Sequence, residues 1–142
     1  MNTIALLALT LVGKFSSPHQ IAFLGYDSKQ ACEADKGKWD GQLCVYDTED
    51  IVTVIKDGAK FKVAISTVTT NAHSCDFEGA GELKAKNVIL ATAPAGDAGK
   101  TCSVRLTYAA DGSLTTTALN DEDCQYFCGM NARLDVSRAT RK

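Results

Sequence analysis

The fold of this chain is decided by one stretch in the first half of the sequence, Ile51-Val52-Thr53-Val54-Ile55-Lys56-Asp57-Gly58-Ala59-Lys60-Phe61-Lys62-Val63-Ala64-Ile65. Two runs rich in β-branched residues flank an Asp-Gly pair at 57–58, which favours a tight turn between antiparallel strands. With Lys56 opposite Ala59, the apolar side chains of both runs share one face. The stretch therefore predicts a β-hairpin with one buried side.

The same pattern continues downstream of this hairpin. Residues 102–119 alternate around a turn at 111–112, with Tyr108 expected opposite Thr115. Further strands are expected over three segments, 75–78, 87–93 and 134–139. We therefore predict an all-β fold (β-rich α+β), which is an antiparallel meander or a partly closed small barrel with one short C-terminal helix.

An even number of cysteines lies in the chain: Cys32, Cys44, Cys75, Cys102, Cys124 and Cys128. In a short chain led by an apolar segment, this count predicts a disulfide framework made in an oxidising compartment. No C-x-x-C pair occurs, so the spacing does not favour a zinc site, and we expect no metal. A bond between Cys32 and Cys44 would close a short loop near the N-terminus.

The remaining four cysteines are expected to join a helix to the sheet. A change of period predicts one short helix over 121–129, which carries Cys124 and Cys128. The meander brings Cys75 and Cys102 to the same end, but alternate strands lie about 9.5 Å apart, too far for a disulfide. Residues spaced i, i+4 on a helix also pair poorly. Each sheet cysteine should therefore bond to one helix cysteine, in either of two pairings.

An apolar run of nine residues, 4–12, lies near the start of the sequence. It is too short to cross a bilayer and is typical of a signal-peptide core. We therefore predict a signal peptide over 1–20, a small disulfide-closed segment over 21–50 and an antiparallel β domain with the short helix over 51–142. The alternative is a buried N-terminal helix or strand. A removed signal would make the protein periplasmic or secreted, with no membrane span afterwards.

Charge excludes one class of partner. The chain has 15 Lys and Arg against 17 Asp and Glu, a formal charge of −2, and no long basic run. The phosphate-neutralising pattern of a nucleic-acid-binding protein is missing, so we expect no nucleic acid. The hydrophobic fraction of 45% is ordinary for a folded domain. A protein or cell-wall component of the envelope is the expected partner, and an acidic surface suits a cationic one such as lysozyme.

Few residues in the sequence favour catalysis. If residues 1–20 are removed, His73 is the remaining good general base, and Ser74 beside it should point to the opposite face of a strand. We therefore expect no catalytic residue, no cofactor and no enzyme activity. Two alternatives stay open: a small envelope hydrolase using His73 or paired carboxylates, and a structural or small-ligand-binding envelope protein. Rigid scaffolds carry binding residues on loops, here 68–73 and 94–100, with the candidates Asn71, His73, Asp97 and Lys100.

Three short motifs carry a family resemblance: His73-Ser74-Cys75-x-Phe77-x-Gly79, Cys102-x-Val104-x-Leu106 and Cys124-x-Tyr126-Phe127-Cys128-Gly129. Together with Leu134, they resemble a set of small, mostly uncharacterised bacterial secreted or periplasmic proteins, some of them similar to lysozyme inhibitors. The resemblance covers residues 60–140 and consists mainly of disulfide spacing. It transfers no inhibitory residue. Small size, disulfide bridges and the lack of catalytic residues favour an exported, non-catalytic binding module, such as a periplasmic inhibitor of a cell-wall hydrolase like lysozyme.

Overall fold

A computed structural model describes residues 10–96 and 99–142 of the chain. Within them, nine strands follow the order β1 Gly13–Phe23, β2 Lys38–Trp39, β3 Cys44–Asp57, β4 Lys60–Val68, β5 Ser74–Ala85, β6 Val88–Pro94, β7 Thr101–Tyr108, β8 Leu114–Ala118 and β9 Val136–Arg141. Two short helices are α1, Lys29–Ala34, and α2, Asp121–Cys124. A 3₁₀ turn, Gln125–Phe127, continues α2, and another covers Thr70–Ala72.

Eight of these strands form a closed antiparallel barrel. From β3 to β9 each strand pairs with the next one in sequence, and β1 pairs with both β3 and β9 to close the circle. The short strand β2 pairs with β3 outside the circle. The prediction of an all-β fold with one short C-terminal helix stapled to it is confirmed, although the helical turn ends at Phe127 and not at residue 129.

Large side chains fill the barrel. The largest fully buried ones are Phe15, Ile65, Ile89, Leu106, Leu114, Leu134, Val52, Val54, Val63, Val104 and Val136. An eight-stranded barrel is just wide enough inside for its own side chains. In the described part of the chain the barrel interior is therefore a packed core, and it does not support the small-ligand alternative.

The first hairpin has a different register from the predicted one. Asp57 pairs with Lys60 and Val54 with Val63, so the loop consists of Gly58 and Ala59. Gly58 has a φ of 61°, which glycine adopts without strain. The predicted register was wrong by two residues. Because side chains alternate with a period of two, an even shift keeps the same face buried.

In the second hairpin the pairing register also differs from the predicted one, and the difference changes which side chains are buried. Tyr108 pairs with Leu114, not with Thr115, because the turn is longer than predicted. The Asp111 carboxylate accepts a hydrogen bond from the Ser113 N–H at 2.9 Å and stabilises this longer turn. The predicted register was wrong by one residue, which exchanges the two faces of β8. Leu114 is therefore buried, whereas Leu119 is exposed.

Three disulfide bonds join the cysteines, and none of the six is free. Their pairs are Cys32–Cys44, Cys75–Cys128 and Cys102–Cys124. The predicted closure of the N-terminal loop is confirmed, and so is the joining of each sheet cysteine to a helix-region cysteine. The structure also decides between the two pairings that the sequence left open.

The two ends of the barrel differ in their connections. At one end, which we call the hairpin end, β3–β4 and β5–β6 are joined by two residues each and β7–β8 by five. At the other, the disulfide end, the connections after β4, β6 and β8 cover residues 69–73, 95–100 and 119–135. Both Cys75–Cys128 and Cys102–Cys124 lie at this end, where they hold the longest connection against the sheet.

Strand β1 overlaps the predicted signal peptide. Residues 13–20 pair one by one with β3, and Phe15 is fully buried. Loss of these residues would open the barrel between β3 and β9, so the expected end of the signal at residue 20 is incompatible with this fold. The signal peptide itself stays a prediction, since residues 1–9 lie outside the described residues. Strand β3 also runs through the expected domain boundary at 50–51.

Candidate binding surface at the disulfide end

Strands β1 and β3 continue beyond the barrel. Strand β9 pairs with β1 only at Phe15 and Ser16, and β4 pairs with β3 only from Ile51 onward. Residues 17–23 and 44–50 therefore form a two-stranded ribbon that projects from the disulfide end. We call residues 17–50, which comprise this ribbon and the segment between its strands, the arm.

A disulfide closes the tip of the arm. Helix α1 begins after Ser28, whose side chain accepts a hydrogen bond from the Ala31 N–H at 3.1 Å, as expected for an N-cap. The helix carries Cys32, which bonds to Cys44 at the start of β3. A Cβ at Gly37 would collide with both sulfurs, so the chain passes directly over the bridge. The tip is therefore covalently tied to the ribbon.

An aromatic cluster gives the arm a small core of its own. The Tyr26 hydroxyl lies 3.1 Å from the Tyr46 hydroxyl and 2.7 Å from an Asp35 carboxylate oxygen. The Phe23 ring meets the Tyr46 ring edge-on, with centroids 5.1 Å apart. The hydrogen bonds to Tyr46 and then Asp35 raise the pKa of the Tyr26 hydroxyl above its usual value. These contacts hold the tip against the ribbon.

Two contacts hold the arm to the disulfide end of the barrel. The Asn71 side chain accepts a hydrogen bond from the Leu24 N–H at 2.7 Å. Closer to the barrel, His19 Nε2 lies 2.9 Å from Asp50 Oδ1, which also accepts from the Val68 N–H at 3.0 Å. Asn71 was expected as a binding residue on its loop. The structure uses it to hold the arm in place.

The arm concentrates negative charge. It contains three lysines and seven carboxylates, which are Asp27, Glu33, Asp35, Asp40, Asp47, Glu49 and Asp50. The arm thus has a formal charge of −4, whereas the whole chain has −2, so the remaining residues are net positive. Hydrogen bonds from Gln20 and then Lys38 hold the pKa of Asp47 below its usual value. Hydrogen bonds from the backbone amides of Leu43 and Gln42 likewise hold the pKa of Asp40 below its usual value.

A groove runs from helix α2 to the base of the arm. It consists of two adjoining depressions of about 550 and 240 Å³, which share Asn131 and Arg133. The larger one lies between α2 and residues 128–134, and the smaller one is lined by His19 and Asp50. The two depressions connect the longest loop of the disulfide end with the arm.

The sides of this groove combine carboxylates with exposed apolar groups. Arg133 lies 2.8 Å from Asp121 and 3.6 Å from Asp135, and all three line the groove. At the same end, Tyr126 is 64% exposed and Met130 is 70% exposed. Exposed aromatic and methionine side chains are enriched in protein–protein interfaces. The groove is thus a mixed surface suited to a partner that offers both cationic and apolar groups.

The other predicted binding residues belong to the connections 69–73 and 95–100 of the disulfide end. The His73 carbonyl accepts a hydrogen bond from the Thr69 N–H at 2.8 Å. Among the described residues, no hydroxyl or carboxylate hydrogen bonds to its imidazole. Lys100 is exposed, and its carbonyl accepts from the Ala95 N–H at 2.9 Å to close the loop. Asp97 lies outside the described residues.

The sequence analysis missed the pair of His19 and Asp50. Residue 19 was placed in a removed signal segment, which hid its position on a strand. The sequence does contain an indication of a strand here, since Phe15, His19 and Ile21 alternate onto one face, but Pro18 is unusual in a strand. Proline is tolerated here because β1 has no neighbour beyond Ser16 on its β9 side.

Metal-ligand clusters, membrane-spanning helices and similar proteins would each point to a function. Within residues 10–96 and 99–142, no three His, Cys, Asp or Glu side chains cluster as metal ligands would. No described helix has the length and apolarity needed to cross a membrane. Neither a family model, nor a curated protein, nor a solved structure matches the chain.

Proposed function

We propose that this protein is an exported, non-catalytic binding module whose disulfide end binds a cationic protein of the cell envelope. A cell-wall hydrolase such as lysozyme, which the module would inhibit, is the partner class that fits best. The observation that carries this proposal is the arm, residues 17–50, which has a formal charge of −4.

The construction of the arm supports a binding role. Its tip is closed by Cys32–Cys44, and contacts of Leu24 with Asn71 and of Asp50 with Val68 hold it to the barrel. A surface that is already ordered before binding loses less conformational entropy when a partner docks. The negative charge accelerates encounter with a cationic partner and adds specificity. The three disulfides are compatible with the oxidising compartment in which such a partner would be met.

The proposal is tested with the oxidised chain and a cationic lysozyme. The arm variant Asp27→Asn/Glu33→Gln removes two exposed carboxylates, and Asp76→Asn/Glu78→Gln removes two from the outer face of β5. Two interfacial charges at about 0.5 kcal/mol each predict about fivefold weaker binding for the arm variant. The β5 variant should bind as the unmodified chain does. Titration calorimetry and cell-wall lysis assays measure both effects.

Each outcome of this experiment has a clear meaning. If the unmodified chain neither binds lysozyme nor slows lysis, a lysozyme inhibitor is the wrong assignment. If both variants weaken binding equally, the overall charge acts and the arm is not the contact surface. Retention on insoluble peptidoglycan without lysozyme binding would identify a cell-wall component as the partner.

Hydrolysis is the second candidate, and one observation favours it. His19 Nε2 lies 2.9 Å from Asp50 Oδ1 beside the groove, as the base and orienting acid of an acyl-transfer site would. The nearby Thr67 hydroxyl, however, donates to the Arg133 carbonyl at 2.7 Å. Turnover of a chromogenic ester that is lost in His19→Gln and kept in His73→Gln would establish this activity. If the unmodified chain turned over the ester no faster than the His19→Gln variant does, this activity would be excluded.

A further inference from the structure

One of the three disulfide bonds has a cysteine that is only partly buried. Five of the six cysteines are at most 3% exposed, and Cys128 is the exception. Its partner Cys75 is among the buried ones, and so are both cysteines of the other two bonds. Cys128 is therefore the cysteine that a molecule in solution can reach while the chain stays folded.

The groove provides the approach to Cys128. This residue lines the larger depression, of about 550 Å³, together with Met130 and Arg133. Cys124 lines the same depression, but it is only 3% exposed. A depression of this size admits a small organic molecule. A thiol that enters the groove therefore meets the Cys75–Cys128 bond first.

The same bond attaches one side of the groove to the sheet. Cys128 pairs with Cys75 as an isolated antiparallel bridge, and the Gly129 N–H donates to the Ser74 carbonyl at 2.7 Å. Strand β6 leaves this part of the β5 edge free, because the pairing of β5 with β6 stops at Ala80. The segment at Cys128 and Gly129 occupies that edge, and the disulfide fixes it there.

We propose that Cys75–Cys128 is a site of thiol–disulfide exchange, which an external dithiol opens by attack at Cys128. One thiolate of the dithiol bonds to the Cys128 sulfur, and Cys75 leaves as a thiolate that takes up a proton. The second thiol of the dithiol then displaces Cys128, which takes up the proton that this thiol loses. The dithiol is thereby oxidised to a disulfide, and the protein bond is reduced to two thiols. The rate of such an attack depends on access to the sulfur.

Opening this bond loosens the groove and leaves the barrel closed. Residues 125–131, which include Tyr126 and Met130, lose their covalent link to β5, whereas Cys102–Cys124 still holds α2 to β7. Among the described strands, none includes residues 125–131, so the strand pairing of the barrel persists. A weaker grip on a cationic partner is the consequence. That consequence rests on the proposed function, but the site of attack does not.

The test is reduction of the full oxidised chain by dithiothreitol without denaturant. Samples taken over time are treated with N-ethylmaleimide, and mass spectrometry of their peptides identifies the cysteines that have become free. We expect Cys75 and Cys128 to be labelled about tenfold faster than the other four, because the rate depends on access to a sulfur. In concentrated guanidinium chloride the three bonds should open at similar rates, since burial then protects none of them.

Two matched variants test the route of attack. Met130→Trp enlarges a side chain that lines the depression with Cys128, and it should slow the opening of this bond. Leu119→Trp enlarges another exposed apolar side chain, outside the residues that line the depression, and it should leave the rate unchanged. Circular dichroism checks that both variants are folded. Cys75→Ala/Cys128→Ala, which lacks the bond, should bind a cationic lysozyme more weakly than the oxidised chain does.

Several results would overturn the proposal. Simultaneous opening of all three bonds without denaturant would show that reduction requires unfolding. Faster opening of either other bond, or equal rates in the two tryptophan variants, would contradict attack at Cys128 through the groove. Selective opening in a chain that binds no lysozyme would support this inference and remove the proposed function. Normal lysozyme binding by a chain whose three bonds open together would remove this inference alone.

Discussion

The hairpin end and the disulfide end of the barrel are closed by different means. At the hairpin end, short turns join neighbouring strands, and the clamp of Tyr108 and Arg141 holds residues 10–12 across the opening. At the disulfide end, residues 119–135 span from β8 to β9 with little regular structure, and two disulfides hold them against β5 and β7. One end depends on hydrogen bonds and local sequence, and the other on covalent bonds.

Because of this difference, the hairpin end can contribute mainly to stability and the disulfide end can provide the binding surface. A turn of two residues has little surface to offer a partner, whereas long connections can carry side chains such as Arg133, Tyr126 and Met130. Long connections also cost more conformational entropy to order. The disulfides at that end offset this cost because they restrict the unfolded chain. We therefore expect the two ends to respond differently to substitution.

Loss of the Cys75–Cys128 bond should have the strongest effect. This bond joins residues 53 apart in sequence, and Cys75→Ala/Cys128→Ala should lower the free energy of unfolding by about 4 kcal/mol in the chain-entropy model. Urea denaturation measures the loss, and amide exchange should show it first in residues 119–135. The matched control is Cys32→Ala/Cys44→Ala, whose 12-residue separation predicts about 3 kcal/mol. A smaller effect for Cys75→Ala/Cys128→Ala than for the control would contradict the account.

At the hairpin end, Tyr108→Phe should have an intermediate effect. Burial raises the pKa of the Tyr108 hydroxyl, which donates to the Leu11 carbonyl at 2.7 Å. Removal of this buried hydrogen bond should lower the free energy of unfolding by about 1 kcal/mol. Tyr26→Phe, which removes the hydroxyl of a half-buried tyrosine in the arm, serves as the control and should change global stability less. No change in Tyr108→Phe would show that the clamp does not stabilise the hairpin end.

The smallest effect is expected from Asp111→Asn, and it should depend on pH. The Ser113 hydroxyl and N–H, and then Arg138, hold the pKa of Asp111 well below its usual value. A lowered folded-state pKa stabilises the fold above the unfolded-state pKa of about 4, and this stabilisation is lost as the pH falls below it. Asp111→Asn should therefore melt at a lower temperature at pH 7 and more nearly like the unmodified chain at pH 2. Asp121→Asn, which breaks a similar ion pair with Arg133, is the control. If the melting temperatures of Asp111→Asn and the unmodified chain differed equally at both pH values, this role of Asp111 would be contradicted.

Much of the fold can be predicted from local patterns. The turn at 57–58, the alternation of β7 and the spacing of the cysteines led to an all-β meander with a stapled helix, because each depends on neighbouring residues or on strand geometry. The register of β8 was wrong because the Asp111 contact to Ser113 lengthens the turn. A partly closed barrel was one of the two predicted forms, but its full closure was not predicted. It depends on β1, whose first residues resemble the end of a signal peptide.

The surfaces at the two ends were harder to predict, since both depend on residues far apart in sequence. The basic residues at the hairpin end come from four separate segments, and His19 meets Asp50 across 31 residues. Asn71 and His73 were chosen because they lie on a loop, but folding uses the Asn71 side chain to hold the arm. The charge of the arm is visible in the sequence. Its projection from the barrel is not, because it follows from where β4 and β9 stop pairing.

Amide chemical shifts of the oxidised chain, recorded during titration with a cationic lysozyme, test most directly whether the two ends have separate roles. The account predicts shifts in the arm, residues 17–50, and along the groove at 121–135, with the turns at 58–59, 86–87 and 109–113 unchanged. Shifts concentrated in those three turns, or no shifts at any residue, would contradict it.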